Sequence, residues 1–232
     1  TPELRARARE MTERLVLGPL FTPPALIDDG PNGKLGTFTI PGPWGSANWN
    51  TGAFDPETQM YYATSGTWSA ILGLARADPE AQMRYQWQSG TPSTLDGLPL
   101  VKPPWGRVTA IDMSRGEHVW MAANSDGPQD HPLLDGLDVG PLGVINRPVP
   151  LVPRTLLFLG EGSDAIMGTA PIMWGKKFRA YDKLTGEVVS EIELPAGTTG
   201  TPMTYLHRGK QYIVVAIGSG EHPAEWVALG LR

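Results

Sequence analysis

The stretch FRAYDKLTGEVV (Phe178 to Val189) decides the fold, because a second copy, VTAIDMSRGEHVW (Val108 to Trp120), stands 70 residues upstream. At that offset Ala180 matches Ala110, Asp182 matches Asp112, Gly186 matches Gly116, Glu187 matches Glu117 and Val189 matches Val119. Self-similarity of this kind marks an architecture that uses one supersecondary unit several times. In FRAYD apolar and polar residues alternate, which predicts a strand with one buried face. Asp-Lys-Leu-Thr-Gly reads as a turn: an Asp can bond its own downstream backbone and a Gly tolerates positive φ. The alternation then resumes, so each copy predicts a β-hairpin. A fainter third copy, TGAFDPETQMYY (Thr51 to Tyr62), keeps Asp55 and puts Gln59 where the turn glycine stands.

An isolated hairpin is marginal in water, so every copy needs neighbours on its apolar face. The upstream copy ends its second strand on Trp120, where the downstream copy has Ser190. Repeated hairpins, large aromatics and long variable connections point to a β-propeller whose tryptophans pack between adjacent blades. A Gly/Pro-rich β-sandwich is the competing arrangement. The composition agrees with many short strands and turns: 232 residues, 28 Gly, 23 Pro and 41% apolar residues.

A net charge of −5 argues against a nucleic-acid partner, since phosphate neutralisation needs clustered Lys and Arg. With no cysteine there is no disulfide frame, thiolate metal site or thiol nucleophile. No apolar run is long enough to cross a bilayer as a helix. The chain lacks an initiating Met, and the expectation is a processed, engineered or incomplete piece of something longer.

Residues 2–16 place Leu4, Ala8, Met11 and Leu15 on one helical face, with Thr1 as N-cap and Pro2 at the first position. This amphipathic helix and the proline-rich arm after it form an N-terminal segment, 1–27, and residues 28–232 form the propeller blades. In PGPWGSANWN (Pro41 to Asn50), the plain expectation is a turn whose Trp44 and Trp49 fill the core. Residues 69–104 read as a long connection that is no regular blade. MTYL and QYIVVAI predict a further hairpin, and WVALGL a last strand.

Several familiar chemistries find no support. Gly218-Ser-Gly220-Glu-His222-Pro223 follows a strand, but Pro223 stands where a dinucleotide fold needs its third glycine. The histidines His118, His131, His207 and His222 have no metal-ligand spacing, and no G-x-S-x-G elbow exists. The acidic residues fall at turns and read as solvated. What remains is a set of loops after strands tipped by Asn48 with Trp49, Trp105, Arg147 and His222. Flat rings with amide and cationic donors suit an acidic planar cofactor.

These residues resemble the quinoprotein dehydrogenases that use pyrroloquinoline quinone (PQQ), in particular the glucose dehydrogenase-like branch. The resemblance rests on GPLFTPPAL, GSANWNTGAFDPETQMYY, PPWGRVTAIDMSRGEHVW, TLLFLGEG, KKFRAYDKLTGEVV, LPAGTTGTPMTYLHRGKQYIVVAIGSG and HPAEWVALGL, which occur in the family's order. It implies an eight-bladed all-β propeller, of which this chain is roughly the last four blades. It also implies a periplasmic setting and oxidation of a sugar or alcohol with PQQ and calcium or magnesium, electrons passing to a quinone or cytochrome. By the same resemblance Asn48, with Trp49, binds the cofactor, and His222 lies near it. An aspartate of the family falls on Gly175, and Arg147 replaces a Gly-Gly-Pro loop, where its charge would compensate. The catalytic aspartate, a cofactor-binding lysine and most metal ligands belong to N-terminal blades preceding residue 1, which leaves this chain inactive alone. The alternative is a non-enzymatic propeller scaffold with a degenerated site.

Overall fold

The computed structural model describes residues 1–28, 30–49, 51–88, 93–146, 148–164 and 173–230. In chain order the elements are α1 (Pro2–Thr12), β1 (Ala25–Leu26), β2 (Thr37–Thr39), β3 (Gly52–Asp55), β4 (Met60–Gly66), β5 (Ala70–Arg76), β6 (Tyr85–Gln88), β7 (Thr94–Leu95), β8 (Leu98–Pro99), β9 (Gly106–Asp112), β10 (Glu117–Ala123), β11 (Leu156–Gly160), β12 (Lys177–Asp182), β13 (Val188–Glu193), β14 (Met203–His207), β15 (Lys210–Ile217) and β16 (Glu225–Gly230). They divide into two compact units, Thr1–Ser46 with Thr67–Lys102, and Ala47–Gly66 with Pro103–Arg232. Among the described residues no helix is long and apolar enough to cross a membrane.

In the first unit Thr1 caps α1 as expected, its Oγ1 accepting the Leu4 N–H at 3.2 Å. The helix stops at Thr12, short of residue 16, and buries none of its residues. Leu15, beyond its end, is the residue that goes into the core. The chain turns there because Arg14 donates to the carbonyls of Gly33 and Gly30 at 3.1 and 3.0 Å, fastening it to the 28–33 turn. β5 is central in this unit, parallel to β1 and antiparallel to β2 and β6. Part of the 69–104 connection is therefore sheet. Its strand AILGLAR (Ala70 to Arg76) is apolar enough to be buried, and the polar residues that follow masked it in the sequence.

The second unit holds three sheets, ordered β10-β9-β4-β3, β11-β12-β13 and β14-β15-β16. Because β4 pairs with β9, the hairpins at Asp55 and Asp112 are halves of one four-stranded sheet. The 70-residue offset, by contrast, carries one sheet onto the next. Its accuracy extends to an irregularity: Trp120 pairs with Ala110 across a bulge that skips Val119, and Ser190 pairs with Ala180 across a bulge that skips Val189. Both turns close in one way. Asp112 Oδ1 accepts the N–H groups of Ser114 and Arg115 at 2.8 and 3.1 Å, and Asp182 Oδ1 those of Leu184 and Thr185 at 2.8 and 3.1 Å. Gly116 and Gly186 take φ of +70° and +78°. Gln59 accepts the same left-handed conformation at +58°, its Nε2 donating to Pro56 O at 2.8 Å.

The expectation of one buried face for FRAYD is corrected, because β12 is buried on both. Tyr181 packs with Leu157 and Leu159 against Met60, Tyr62, Val108 and Ala110 of the first sheet. Phe178 packs with Leu194 and Ala196 against Val215 and Ile217 of the third. A strand in a sheet with a neighbour on each side must do this, and Arg179, which shares the Tyr181 face, is buried with it. Each large apolar side chain so buried contributes about 1.5–3 kcal/mol.

Candidate functional site

The register of the three sheets brings one set of loops to a common end of the second unit. At that end lie Gly52, paired with Ala63, and Gly66, paired with Gly106, in the first sheet. Gly160, paired with Phe178, occupies it in the second sheet, and Ile217, paired with Glu225, in the third. Side chains tie these ends together. Asn124 Nδ2 donates to Gly160 O at 2.9 Å across the first gap. Gly162 N–H donates to Thr198 Oγ1 at 3.2 Å, and Ser163 Oγ to Gly218 O, across the second. The turn of each repeat copy, at Asp112 and Asp182, lies at the opposite end.

Asn48 and Trp49 stand at the common end, in the turn entering β3. Asn48 O accepts the Thr51 N–H at 3.0 Å, and buried Thr51 is held in turn by Thr64, whose N–H donates to Thr51 O at 2.9 Å. This anchored turn leaves the Trp49 indole 95% exposed, and Trp44, in the first unit, is 67% exposed. The core-filling reading of the two tryptophans is thereby corrected. Trp105, expected at a loop tip, is the buried one, its N–H donating to Leu142 O at 2.7 Å.

His222 lies at the same end, in the loop between β15 and β16 of the third sheet. Ser219 Oγ accepts its N–H at 2.8 Å, and its Nε2 stands 2.9 Å from Glu225 Oε1. The imidazole is about one-third exposed, and Asp164 steadies the loop by accepting the Gly220 N–H at 3.3 Å. The structure thus brings the Asn48–Trp49 turn and the His222 loop to one end of the unit. Arg147 lies outside the described residues.

Beneath these loops lies a charged cluster that the sequence reading missed. Arg179, only 4% exposed, pairs through Nη1 with Glu161 Oε1, itself 5% exposed. It also reaches Asp126 at 3.3 Å and Glu191 at 3.1 Å, and Lys177 meets the same two carboxylates at 2.8 and 2.9 Å. Hydrogen bonding from Lys177 holds the Asp126 and Glu191 carboxyls below their ordinary range, and those partners raise the Lys177 ammonium. Burial pulls the Arg179 guanidinium down, but the charge and hydrogen bond of Glu161 together with the charges of Tyr181 and Asp126 prevail, and the net shift is upward. Burial pushes the adjoining Tyr181 phenol, which donates to Asn124 Oδ1 at 3.1 Å, up to about 12. One signal was available: in the FRAYD alternation Arg179 falls on the inward face of Tyr181. Glu161 and Asp55 also correct the picture of solvated turn carboxylates, since both are buried. Among the described residues no group of three or more His, Asp or Glu side chains is placed to hold a metal ion.

Position 175 belongs to this cluster. A Cβ built on Gly175 would stand 2.0 Å from Glu161 Oε2, so the glutamate carboxylate occupies the space of any side chain there. That oxygen accepts the Lys177 N–H at 3.0 Å.

A family model described as the PQQ glucose/ethanol/alcohol dehydrogenase β-propeller domain matches residues 1–213. The chain belongs to this family. PQQ is the cofactor of these quinoprotein dehydrogenases, and the separate antiparallel sheets of the second unit are those of their propeller. Among relatives, the quinate/shikimate dehydrogenase (quinone) of Acinetobacter baylyi is 28% identical over 78% of this chain and 24% of its own length. The quinoprotein glucose dehydrogenase of Gluconobacter oxydans is 28% identical over 85% of this chain and 26% of its own. The chain spans about a quarter of the length of these curated relatives. In fold it is similar to the quinohemoprotein alcohol dehydrogenase of Comamonas testosteroni, with a TM-score of 0.51 and 18% identity over 88% of this chain and 30% of that one. A quinohemoprotein alcohol dehydrogenase of Pseudomonas putida gives a TM-score of 0.50 with 20% identity, over 78% and 23%.

Proposed function

We propose that this chain is part of a PQQ-dependent dehydrogenase that oxidises a sugar or alcohol in the periplasm, and that it contributes one wall of the cofactor pocket. The reading is carried by the register of the three sheets, which sets the Asn48–Trp49 turn and the His222 loop at one end of the second unit. PQQ is a flat tricarboxylate, and the chemistry of these residues suits it: an exposed indole offers a stacking face and an amide offers donors. Bound there, the quinone serves as the two-electron acceptor for the substrate's C–H bond. Asn48 would hold the cofactor, Trp49 would offer it a stacking surface, and His222, hydrogen-bonded to Glu225, would border it; Arg147 would add positive charge.

In the same proposal the catalytic aspartate, the lysine and the ligands for calcium or magnesium come from N-terminal blades outside these 232 residues, so the chain alone is inactive. A quinone or cytochrome takes the electrons. Support for a larger parent comes from the quinoprotein relatives, of which this chain spans about a quarter. PQQ titrated with calcium into the intact parent protein is expected to quench tryptophan emission, and Asn48→Ala to weaken that binding about tenfold, or about 1.4 kcal/mol. A parent protein whose emission does not respond would favour the non-enzymatic scaffold, and an unchanged affinity in the variant would remove Asn48 from the pocket.

A further inference from the structure

We propose that Glu161 is a positioning residue that supplies, from the end of β11 and across Gly175, the buried carboxylate that holds Arg179. The proposal rests on the cofactor-pocket reading and deepens it. Arg179 is 4% exposed and needs a compensating charge, because an unpaired buried charge is strongly destabilising. Asp126 and Glu191, at 48% and 43% exposure, are screened by water. Glu161 is the one carboxylate of the cluster buried as deeply as Arg179 itself.

Glu161 reaches the guanidinium by curling across Gly175. Its Oε1 meets Arg179, and its Oε2 sits 2.0 Å from where a 175 Cβ would be while accepting the Lys177 N–H. A side chain at 175 and the Glu161 carboxylate in its present place are thus mutually exclusive. One of the two positions can feed Arg179, and the other must then be small. Gly175 N–H also donates to Gly162 O at 3.3 Å, which fixes the backbone from which an aspartate at 175 would project into the same place. Glu161 therefore holds Arg179 beneath the strand-end loops, and its own charge is neutralised there instead of facing an anionic cofactor.

The experiment compares Glu161→Gly, Gly175→Asp and the double variant in the 232-residue chain without ligand, reading the urea midpoint and the NMR signal of the Arg179 Nη1 hydrogens, which face Glu161. Glu161→Gly is expected to lower the midpoint and shift the resonance. Gly175→Asp alone is expected to lower the midpoint by crowding. The double variant should return both readouts toward wild type. If Glu161→Gly does not fold, Glu161→Gln keeps the shape and removes the charge, and Gly175→Ala supplies crowding without a carboxylate. A double variant no better than Glu161→Gly, or a Gly175→Asp single variant with the wild-type midpoint and resonance, would overturn the exchange. PQQ quenching is read separately on the intact parent protein, so a parent that binds no PQQ refutes the pocket while leaving the rescue result to decide the role of Glu161.

Discussion

Trp120 lies across the turn of the neighbouring sheet at Gly186, where an added Cβ would stand 2.5 Å from the indole Cε3. The indole Nε1–H donates to Lys183 O at 3.1 Å, and the Tyr62 hydroxyl donates to the same carbonyl at 3.0 Å. The residue that ends the upstream copy thus locks onto the turn of the downstream one.

This contact separates two glycines with nearly the same backbone. A Cβ on Gly116 meets nothing within 4 Å, although its φ of +70° matches the +78° of Gly186. Both alanine variants carry the left-handed penalty of about 1–2 kcal/mol. Gly186→Ala must in addition displace Trp120, so it is expected to cost roughly 1–3 kcal/mol more than Gly116→Ala. Urea unfolding of the two variants measures the difference; equal losses would show that the indole yields freely.

The second lock between these sheets is ionic. Lys183 Nζ pairs with Asp55 Oδ2, the side chains being 6% and 7% exposed. Burial alone would raise the Asp55 carboxyl, but the hydrogen bonds from Lys183, Thr58 and the Glu57 N–H prevail and its pKa falls below its ordinary value. A carboxyl with a depressed folded pKa adds stability above its unfolded value, about 3.9, and that stability disappears as pH drops through the folded pKa. Asp55→Asn should therefore flatten acid unfolding below about pH 4. At pH 7 the variant strands the Lys183 charge and is expected to cost about 3–5 kcal/mol. An acid unfolding curve with unchanged slope would show that the pair does not drive the transition.

The turns at Asp112 and Asp182, and the strands beside them, were legible because alternation and Asp-x-x-x-Gly are local signals. Which hairpins pair was not. The union of β4 with β9 spans the whole 67–102 insertion, and periodicity carries no record of a partner so distant. The charged cluster was hidden for a related reason. Arg179 reads as the polar member of an alternating strand until a second sheet covers its face, and its partner Glu161 comes from another strand end. Asn48, Trp49 and His222 were legible as loop tips after strands, their role came from the family resemblance, and the register puts their two loops at one end.

Trp49 allows stability and binding to be separated. At 95% exposure its indole contributes little to the core, so Trp49→Ala should leave stability within about 0.5 kcal/mol of wild type. If the indole stacks on PQQ, the same variant should lose about 0.5–1.5 kcal/mol of binding. Thermal unfolding and PQQ titration on one preparation give both numbers, and a large fall in unfolding temperature would show that Trp49 has a packing role.

Ser190 offers the converse test, because it occupies in the second sheet the place that Trp120 holds in the first, opposite Ala180 and beside an identical bulge. Its short side chain borders a cleft of about 350 Å³ between the second and third sheets, walled by Phe158, Phe178, Ile192, Ile213 and Leu229. An indole placed there would bury apolar surface worth up to about 1.5–3 kcal/mol, less the entropy of fixing the ring. Ser190→Trp is accordingly expected to raise the unfolding temperature by about 2–4 °C. Overpacking would instead force side chains off their rotamers and lower it. A fall would mean that the walls of the cleft cannot accept the geometry that the first two sheets use, so the equivalence of Ser190 and Trp120 would end at the backbone.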